Sequence, residues 1–218
     1  MKSKNIRTYS NNEKLVEERR EQIIRCAMRL FNKKGFDGTS MRDLAAACKM
    51  TSANLYNYIA EKDDIIHLIM QQGDATSHEF ICEADVAMKS LGPEDALVRT
   101  IEQYFRLMDN NRAGVTFLYR GIAAFKEGIR EGVIAREAAE TSAFQRILEK
   151  GCRKKVFAVD DTRLVADNIV SLGQMWAVKH GNFEKRYTIE DYIRLQTQGV
   201  LKQVLGKTTD CTGRRGLL

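Results

Sequence analysis

Residues 51–58 combine side chains that can hydrogen-bond to a nucleic acid with side chains that can anchor a helix. The segment begins with Thr51, which can cap a helix, and continues with small or polar residues that let a helix approach base edges closely. Leu55 and Ile59 lie four positions apart, so both are expected to point to a core. The segment therefore predicts a helix from Ser52 to about Ile59 with one recognition face and one packing face.

Two helices are expected to hold this segment in place. The first runs from Glu13 to Lys34, carries apolar residues at helical spacing, and is stopped by Gly35. The second runs from Met41 to Cys48 and opens with a Ser-x-x-Asp capping box. A short turn at residues 49–50 then leads to the polar helix. Two helices joined by a tight turn have the layout of a helix-turn-helix, whose second helix enters the major groove of DNA.

The composition is consistent with an all-α protein that binds a polyanion such as a nucleic acid. The 218 residues include a single proline, and the net charge is +6. Residues 1–70 contain 13 Lys and Arg against 9 Asp and Glu, so they hold +4 of that excess. A basic region permits nucleic-acid binding but does not establish it.

Several other classes of protein are disfavoured by the sequence. No run of 18 apolar residues is present, so we expect no transmembrane helix, and the polar start lacks the apolar core of a secretory signal. The five cysteines are scattered without a Cys-x-x-Cys pair, so no zinc site is predicted and a reducing cytoplasm is expected. The three histidines are isolated, and no nucleophile motif or phosphate loop occurs. We therefore predict no enzyme, metal or cofactor.

The segment from Ile23 to Ile66 resembles the DNA-binding domain of TetR-family regulators. Three pieces carry the resemblance: A-x-x-L-F-x-x-x-G-F at 27–36, T-S-M-R-D-L-A at 39–45, and L-Y-x-Y-I-x-x-K at 55–62. The chain departs from the family pattern at Lys49, where a turn glycine is usual and a left-handed backbone costs a lysine about 1 kcal/mol. It also has Ile59 for a common Phe, and Ala60-Glu61 replaces the usual polar cap before the fourth helix.

The resemblance implies roles for particular residues. Residues 52–54 face base edges, and Asn54 can pair with adenine. Ser40, Arg42 and Lys62 reach phosphates, as do residues 56–58, which sets register rather than sequence choice. The alternative for Tyr56 and Tyr58 is that they are half-buried core aromatics. The predicted DNA contacts are Ser40, Arg42, Thr51, Ser52, Ala53, Asn54, Tyr56, Asn57, Tyr58 and Lys62.

The predicted fold is all-α, with a three-helix head, a larger helical domain and nine or ten helices in total. We expect a flexible basic arm at 1–12 (Lys2, Lys4, Arg7), the DNA-binding domain at 13–60, a ligand-binding and dimerisation domain at 61–206, and a disordered tail at 207–218. A fourth helix is expected at 61–73. Further helices are expected at 75–90, 94–110, 113–127, 131–154, 161–180 and 188–206.

In the family, the second domain dimerises and binds a small molecule. The last two helices have apolar stripes that pack either in their own core or in a four-helix dimer interface; for the interface we predict Val165, Ile169, Leu172, Gly173, Ile189, Ile193, Gln196, Val200 and Val204. The side chains named for the ligand pocket are more often ordinary core. The predicted pocket residues are Tyr104, Phe105, Met108, Phe117, Arg120, Gly121, Phe125, Phe144 and Trp176.

The resemblance thus implies a cytoplasmic homodimer that binds a palindromic DNA operator as a repressor and leaves it when a small effector binds. Residues 174–201 look like the C-terminal part of fatty-acid-degradation regulators in the same family, which implies an acyl-coenzyme A or other apolar effector. An alternative is a redox-responsive DNA-binding regulator that uses cysteines, although the sequence shows no activating cluster. A further alternative is a protein that coats the chromosome without sequence preference. The mixed charge outside the DNA-binding domain disfavours it.

Overall fold

The structure is a computed structural model that describes Ile6 and residues 12–206. The cationic residues of the predicted arm and the whole of the predicted tail lie outside the described residues. Within the described part, all regular structure is helical, as the sequence predicted. No described helix is long and apolar enough to cross a membrane. The helices are α1 (Glu13–Lys34), α2 (Met41–Ala47), α3 (Ser52–Tyr56), α4 (Lys62–Ser90), α5 (Pro93–Asn110), α6 (Arg112–Gly121), α7 (Glu127–Arg153), α8 (Thr162–Val178), α9 (His180–Phe183) and α10 (Ile189–Val204).

The chain divides into two compact units. The head unit comprises Met1–Glu79 and Leu107–Ala138, and the second unit comprises Phe80–Arg106 and Ala139–Leu218. This division differs from the expected boundary near residue 60, because α6 and the first part of α7 group with the head. The division falls within α4, α5 and α7, so each of these helices contributes to both units.

Helix α4 is one continuous helix where the sequence analysis predicted two, at 61–73 and 75–90. Gly73 lowers helix propensity by about 1 kcal/mol relative to Ala but does not end the helix. Its missing side chain leaves room for Arg136 of α7: a Cβ on Gly73 would lie 2.3 Å from an Arg136 guanidinium nitrogen. That guanidinium also pairs with Asp74 at 3.4 Å. The glycine therefore serves packing between α4 and α7 rather than a break.

Other helices end at residues different from the predicted ones. Helix α3 ends at Tyr56 rather than near Ile59. Helix α6 ends at Gly121 and passes into a 3-10 turn, Ile122–Ala124, after which the Phe125 ring lies against Gly121. The predicted helix 161–180 ends at Val178 and is followed by the short α9.

The predicted caps are present. Ser40 and Asp43 form a full capping box at the start of α2, and Thr188 and Asp191 form another at the start of α10. The N–H of Gly35 donates to the carbonyl of Phe31 at 2.9 Å, and its φ of 80° is one that glycine adopts without strain. These caps satisfy backbone groups that a helix end leaves unpaired.

The core of the head unit forms around α1. Ile23, Ala27 and Phe31 of α1 are almost completely buried, and Leu44 of α2 and Leu55 of α3 pack into the same cluster. The Phe31 ring stacks on Phe117 of α6 with centroids 5.1 Å apart. Each fully buried aliphatic or phenyl side chain contributes about 1.5–3 kcal/mol to folding. Helix α1 packs on α2 and α2 packs on α3, so burial in this cluster holds the three helices together.

The second unit has an aromatic core. Tyr104 and Phe144 meet edge to face with centroids 5.6 Å apart, and the Tyr104 hydroxyl donates to buried Glu140 at 3.0 Å. Gly173 of α8 lies against Tyr104, since a Cβ there would approach the ring to 2.7 Å. Trp176 packs on Tyr192 of α10 at 4.9 Å. Close packing of this kind fixes α8 and α10 in the unit.

The two non-glycine residues with positive φ among the described residues are lysines, Lys49 at 55° and Lys155 at 57°. Because the left-handed conformation costs a side chain about 1 kcal/mol, Lys49→Gly and Lys155→Gly should each stabilise the protein by up to that amount. A gain of this size raises the thermal midpoint by about 2–4 °C in a protein of this length. Thermal unfolding at one fixed protein concentration checks this, and a lower midpoint in both variants would contradict it.

Candidate functional site

The turn between α2 and α3 is held from behind by α1. The N–H of Met50 donates to the carbonyl of Ala45 at 2.9 Å and closes the turn. The Gln22 amide donates to the carbonyl of Cys48 at 2.8 Å, so α1 fixes the end of α2. Lys49 adopts the left-handed conformation expected at the family's turn glycine. The helix-turn-helix geometry is therefore kept, at the expense of a strained lysine.

Helix α3 presents a polar face to solvent. Leu55 is fully buried, and Ile59 just beyond the helix is too. Ser52 and Ala53 are exposed, and the side chain of Tyr56 is 46% exposed. Of the remaining predicted contacts, Asn57 and Thr51 are exposed and Asn54 is partly exposed. Thr51 accepts a hydrogen bond from the N–H of Asn54 at 3.1 Å and so caps the helix.

Tyr58 requires a correction. We predicted that it contacts a phosphate, but the residue is only 6% exposed and belongs to the core cluster of the head. Helix α3 ends two residues earlier, which turns the Tyr58 side chain away from the exposed face. Its carbonyl accepts a hydrogen bond from Arg20 at 3.3 Å. Tyr58 therefore anchors the segment after α3.

Lys62 also has a different role from the one predicted. Its ammonium donates to the carbonyls of Phe36 at 2.6 Å and Thr39 at 3.1 Å, and lies 4.2 Å from the centre of the Phe36 ring. These hydrogen bonds occupy two of the three donors of the ammonium and hold it against the protein's own carbonyls. Lys62 thus ties the start of α4 to the segment between α1 and α2.

The missing cap before α4 is supplied by Asp64. Its buried carboxylate accepts hydrogen bonds from the N–H groups of Ala60 at 2.9 Å and Glu61 at 3.1 Å. A carboxylate at this end of a helix also interacts favourably with the helix dipole. The unusual Ala60-Glu61 sequence is therefore compensated three residues further on.

Helix α2 offers two predicted contacts of different character. The Ser40 hydroxyl donates to Asp43 at 2.5 Å, which occupies it in the capping box. The hydrogen bonds from Ser40, with a smaller contribution from Lys34, hold the pKa of Asp43 well below its usual value. Arg42 is exposed and makes no hydrogen bond or ion pair with a described residue. Arg42 is thus the freer of the two for a phosphate.

Lys49 is a candidate DNA contact that was not among the predicted ones. In the sequence it stood out only as a departure from the family pattern. The structure leaves this lysine exposed in the turn directly before α3, with no partner among the described residues. The signal was available, because a cation beside a recognition helix is a natural phosphate contact.

The nine residues predicted for a ligand pocket fall into two groups. Phe117, Arg120, Gly121 and Phe125 surround a cavity of about 600 Å³ in the head unit. Met108 is 7% exposed and also belongs to the head unit. The other predicted pocket residues, Tyr104, Phe105, Phe144 and Trp176, are at most 2% exposed and form the aromatic core of the second unit.

The cavity in the head unit has an apolar wall and charged residues. Phe31 and Phe36 contribute rings from α1 and the segment after it, while Ile66 and Ile129 come from α4 and α7. Its charged residues are Asp37, Asp63, Arg120 and Lys126. A volume of this size lies within the usual range for small-molecule sites, which is about 300–1,000 Å³.

Most residues predicted for the dimer interface are already buried within their own protomer. Their side chains leave little surface for a second chain, so burial favours the alternative in which the stripes pack in their own core. Leu172, Ile189 and Gln196 remain partly exposed. The buried residues are Val165, Ile169, Gly173, Ile193, Val200 and Val204.

The fold and the exposed face of α3 define a helix-turn-helix DNA-binding protein. Comparison with known families gives the same class. A sequence family described as bacterial regulatory proteins of the tetR family matches residues 23–69. A second, described as a tetracyclin repressor-like C-terminal domain, matches residues 90–200 and so covers about half of the chain. The chain belongs to the TetR family and is a DNA-binding transcriptional regulator.

Individual relatives agree with this assignment. The regulator HbdR of Aromatoleum sp. strain CIB is 26% identical over 195 residues, which cover 88% of this chain and 82% of HbdR. The structure of PfmR from Thermus thermophilus gives a TM-score of 0.71 at 24% identity and covers 83% of this chain and 97% of PfmR. The structure of AibR in complex with isovaleryl coenzyme A and operator DNA gives a TM-score of 0.69 at 22% identity, with the same coverage of 83% and 97%. These two structures show a shared fold.

The contacts of Arg42 and Lys62 lead to opposite expectations for DNA binding. In Arg42→Ala, the loss of one phosphate contact should lower the slope of log affinity against log salt by about one. In Lys62→Met, the slope should stay unchanged because the ammonium serves the protein's own carbonyls, while the thermal midpoint falls. Fluorescence-anisotropy titrations at several salt concentrations measure the slopes. Lys89→Ala, an exposed lysine of α4, is the matched control, and a reduced slope in Lys62→Met would restore its phosphate role.

Proposed function

We propose that this protein is a homodimeric repressor that binds a palindromic operator and leaves it when a small apolar or acyl-coenzyme A-type effector binds. The observation that supports this best is the braced helix α3, which buries Leu55 and exposes a polar face from Ser52 to Asn57. The proposal places the protein in the cytoplasm and assigns it no catalytic activity.

Sequence choice is assigned to the start of α3. Ser52 and Ala53 let the helix approach the groove floor, and the Asn54 amide reads adenine by two hydrogen bonds. Phosphate contacts are assigned to the exposed cations, hydroxyls and amide around the helix, which set its register. These are Arg42, Lys49, Thr51, Tyr56 and Asn57. Ser40 is assigned a weaker contact, because its hydroxyl already bonds to Asp43 in the capping box.

Two copies of the chain are needed because a palindrome presents two half-sites to two recognition helices, about 34 Å apart for each helical turn. The surface we assign to the dimer lies on α8 and α10. Leu164 is 58% exposed and Leu195 is 43% exposed, so both offer apolar surface to a second chain. Gly199, four residues after Leu195, has open space around it that lets a second helix approach.

An effector can release the operator only if it binds the non-operator conformation more tightly. AibR, whose fold this chain shares, has been crystallised with isovaleryl coenzyme A and operator DNA together. That pairing supports an apolar acyl group as one effector class for this chain. The effector contacts are assigned to the predicted pocket residues that surround the cavity, which are Phe117, Arg120, Gly121 and Phe125.

No observation favours the redox alternative. Cys26 and Cys48 are buried in the head, and burial, together with Cys26, raises the pKa of Cys48 to about 12. The reactive form of a cysteine is the thiolate, so a thiol with this pKa reacts slowly near neutral pH. Among the described residues, no metal-binding group of His, Cys, Asp and Glu is present either.

Selection from a random pool of DNA duplexes tests the operator proposal. The full chain should enrich one palindrome, and Asn54→Ala should enrich a less restricted one because it loses the adenine contact. Each lost base contact should cost about 1–3 kcal/mol of discrimination. Asn110→Ala, an exposed asparagine at the end of α5, is the matched control. Enrichment of no palindrome by the unmodified chain would contradict the proposal.

The proposed dimer surface has its own test. Leu195→Glu places a charge on the proposed dimer surface, which α8 and α10 of each chain form. It should convert the dimer to a monomer at micromolar concentration. Val86→Glu, which changes an apolar residue 64% exposed on α4, should leave the dimer intact. Sedimentation velocity distinguishes the two masses. A Leu195→Glu variant that remains dimeric would show that another surface mediates assembly.

A further inference from the structure

The cavity of the head unit is bounded by the elements that carry the recognition helix. Phe31 and Gly35 come from the end of α1, Phe36 follows them, and Ile66 lies in the first turns of α4. The opposite part of the lining is contributed by α6, the 3-10 turn and the start of α7. Lys62, one residue before Asp63 of the lining, holds the carbonyls of Phe36 and Thr39. A molecule in the cavity would therefore press on the segment that leads into α2.

The apolar part of the lining is largely aromatic. Phe36 packs edge to face on Phe31, Phe31 stacks on Phe117, and Phe117 packs on Phe125, with centroids 5.1, 5.1 and 5.4 Å apart. These rings form one continuous row along the cavity. Such a row favours a planar or branched apolar body, because aromatic pairs gain from ring contact beyond simple burial.

The charged residues of the lining are not equivalent. Lys126 and Asp63 form an ion pair with each other. Arg120 is exposed at the end of α6 and makes no hydrogen bond or ion pair with a described residue. A guanidinium with free donors suits a carboxylate, which it can bind through two parallel hydrogen bonds. Asp37 is exposed on the segment after α1, and its charge opposes an anion.

We propose that this cavity binds an apolar monocarboxylate, with the carboxylate on Arg120 and the apolar body along the row of Phe36, Phe31, Phe117 and Phe125. This inference names a ligand class for one part of the effector site assigned above. It rests on the proposed function only for its effect on operator binding.

The lining is poorly matched to the coenzyme A part of a thioester. Coenzyme A carries three phosphate groups, whereas the cavity offers two cations, of which Lys126 already pairs with Asp63. Phosphates near Asp37 would be repelled by its carboxylate. A free carboxylate needs a single cation, which Arg120 supplies.

The probe pair is 2-naphthoate and the uncharged 2-naphthamide, each titrated into the full-length chain. Isothermal calorimetry measures affinity, and amide NMR shifts of Gly35 and Gly121 report binding at the cavity. We expect 2-naphthoate to shift both amides and to bind at least about tenfold more tightly than the amide, since hydrogen bonds to charged groups are the stronger ones.

Three substitutions, two of them with a matched control, test the assignment of the two charges and of the cavity volume. Arg120→Gln should weaken 2-naphthoate binding about tenfold, while Arg130→Gln, an exposed arginine outside the lining, should not. Asp37→Asn should strengthen binding by removing a like charge. Ala124→Phe should abolish binding by filling the cavity, and Ala123→Phe, its exposed neighbour outside the lining, is the matched control.

Several results would overturn the inference. The ligand class is wrong if both probes bind equally, or if isovaleryl coenzyme A shifts the Gly35 and Gly121 amides and 2-naphthoate does not. The site is wrong if Arg120→Gln and Ala124→Phe bind like their controls. If 2-naphthoate binds here but changes operator affinity less than about fivefold, the regulatory effect is refuted. Failure of the unmodified chain to bind any palindrome would refute the proposed function alone, because calorimetry and NMR need no DNA.

Discussion

A recognition helix of five residues depends on burial for its existence. Isolated helices shorter than about 12–15 residues are marginal in water, so α3 cannot form from its own backbone hydrogen bonds alone. Leu55 within it and Ile59 beyond it are fully buried, and Thr51 caps its start. Burial of these two side chains in the core of the head unit therefore creates the helix as well as orients it. The polar face is free for DNA because the opposite face supplies nearly all of the stability.

The remaining contacts of the head fix the segments on either side of α3. Gln22 holds the end of α2, Arg20 holds the carbonyl of Tyr58, and Lys62 holds the segment after α1. Each is a long polar side chain that reaches backbone carbonyls separated from it by at least 20 residues. Backbone groups that no helix satisfies are thereby paired. The recognition helix is thus held by an apolar core on one side and by side-chain hydrogen bonds to the backbone on either side of it.

Much of the fold followed from local signals. The ends of α1 and the capping boxes of α2 and α10 were predicted correctly, because a capping residue acts on backbone groups three positions away. The continuity of α4 was missed because Gly73 is tolerated through its contact with Arg136, 63 residues further along the chain. The role of Lys62 was also missed because it depends on residues distant in sequence, the carbonyls of Phe36 and Thr39. A lysine after a recognition helix has the same appearance in sequence whether it binds phosphate or a carbonyl.

The site was predicted less completely than the fold. Helical spacing identifies an apolar stripe but does not distinguish a protomer's own core from a surface shared with a partner, as Val165 and Val200 illustrate. Nor does it separate a packed aromatic core from a cavity wall: Tyr104 and Phe117 have similar sequence environments and different surroundings. Such distinctions depend on contacts between helices that are distant in sequence.

The chain has a single tryptophan, and its position has a spectroscopic consequence. Trp176 is 2% exposed and packs against Phe183 and Tyr192 of the second unit. Its emission wavelength reports whether water reaches this aromatic environment. It does not report unfolding that is confined to the head unit, because Trp176 lies in the second unit. Intrinsic fluorescence and circular dichroism would therefore separate if the head unit lost its structure first.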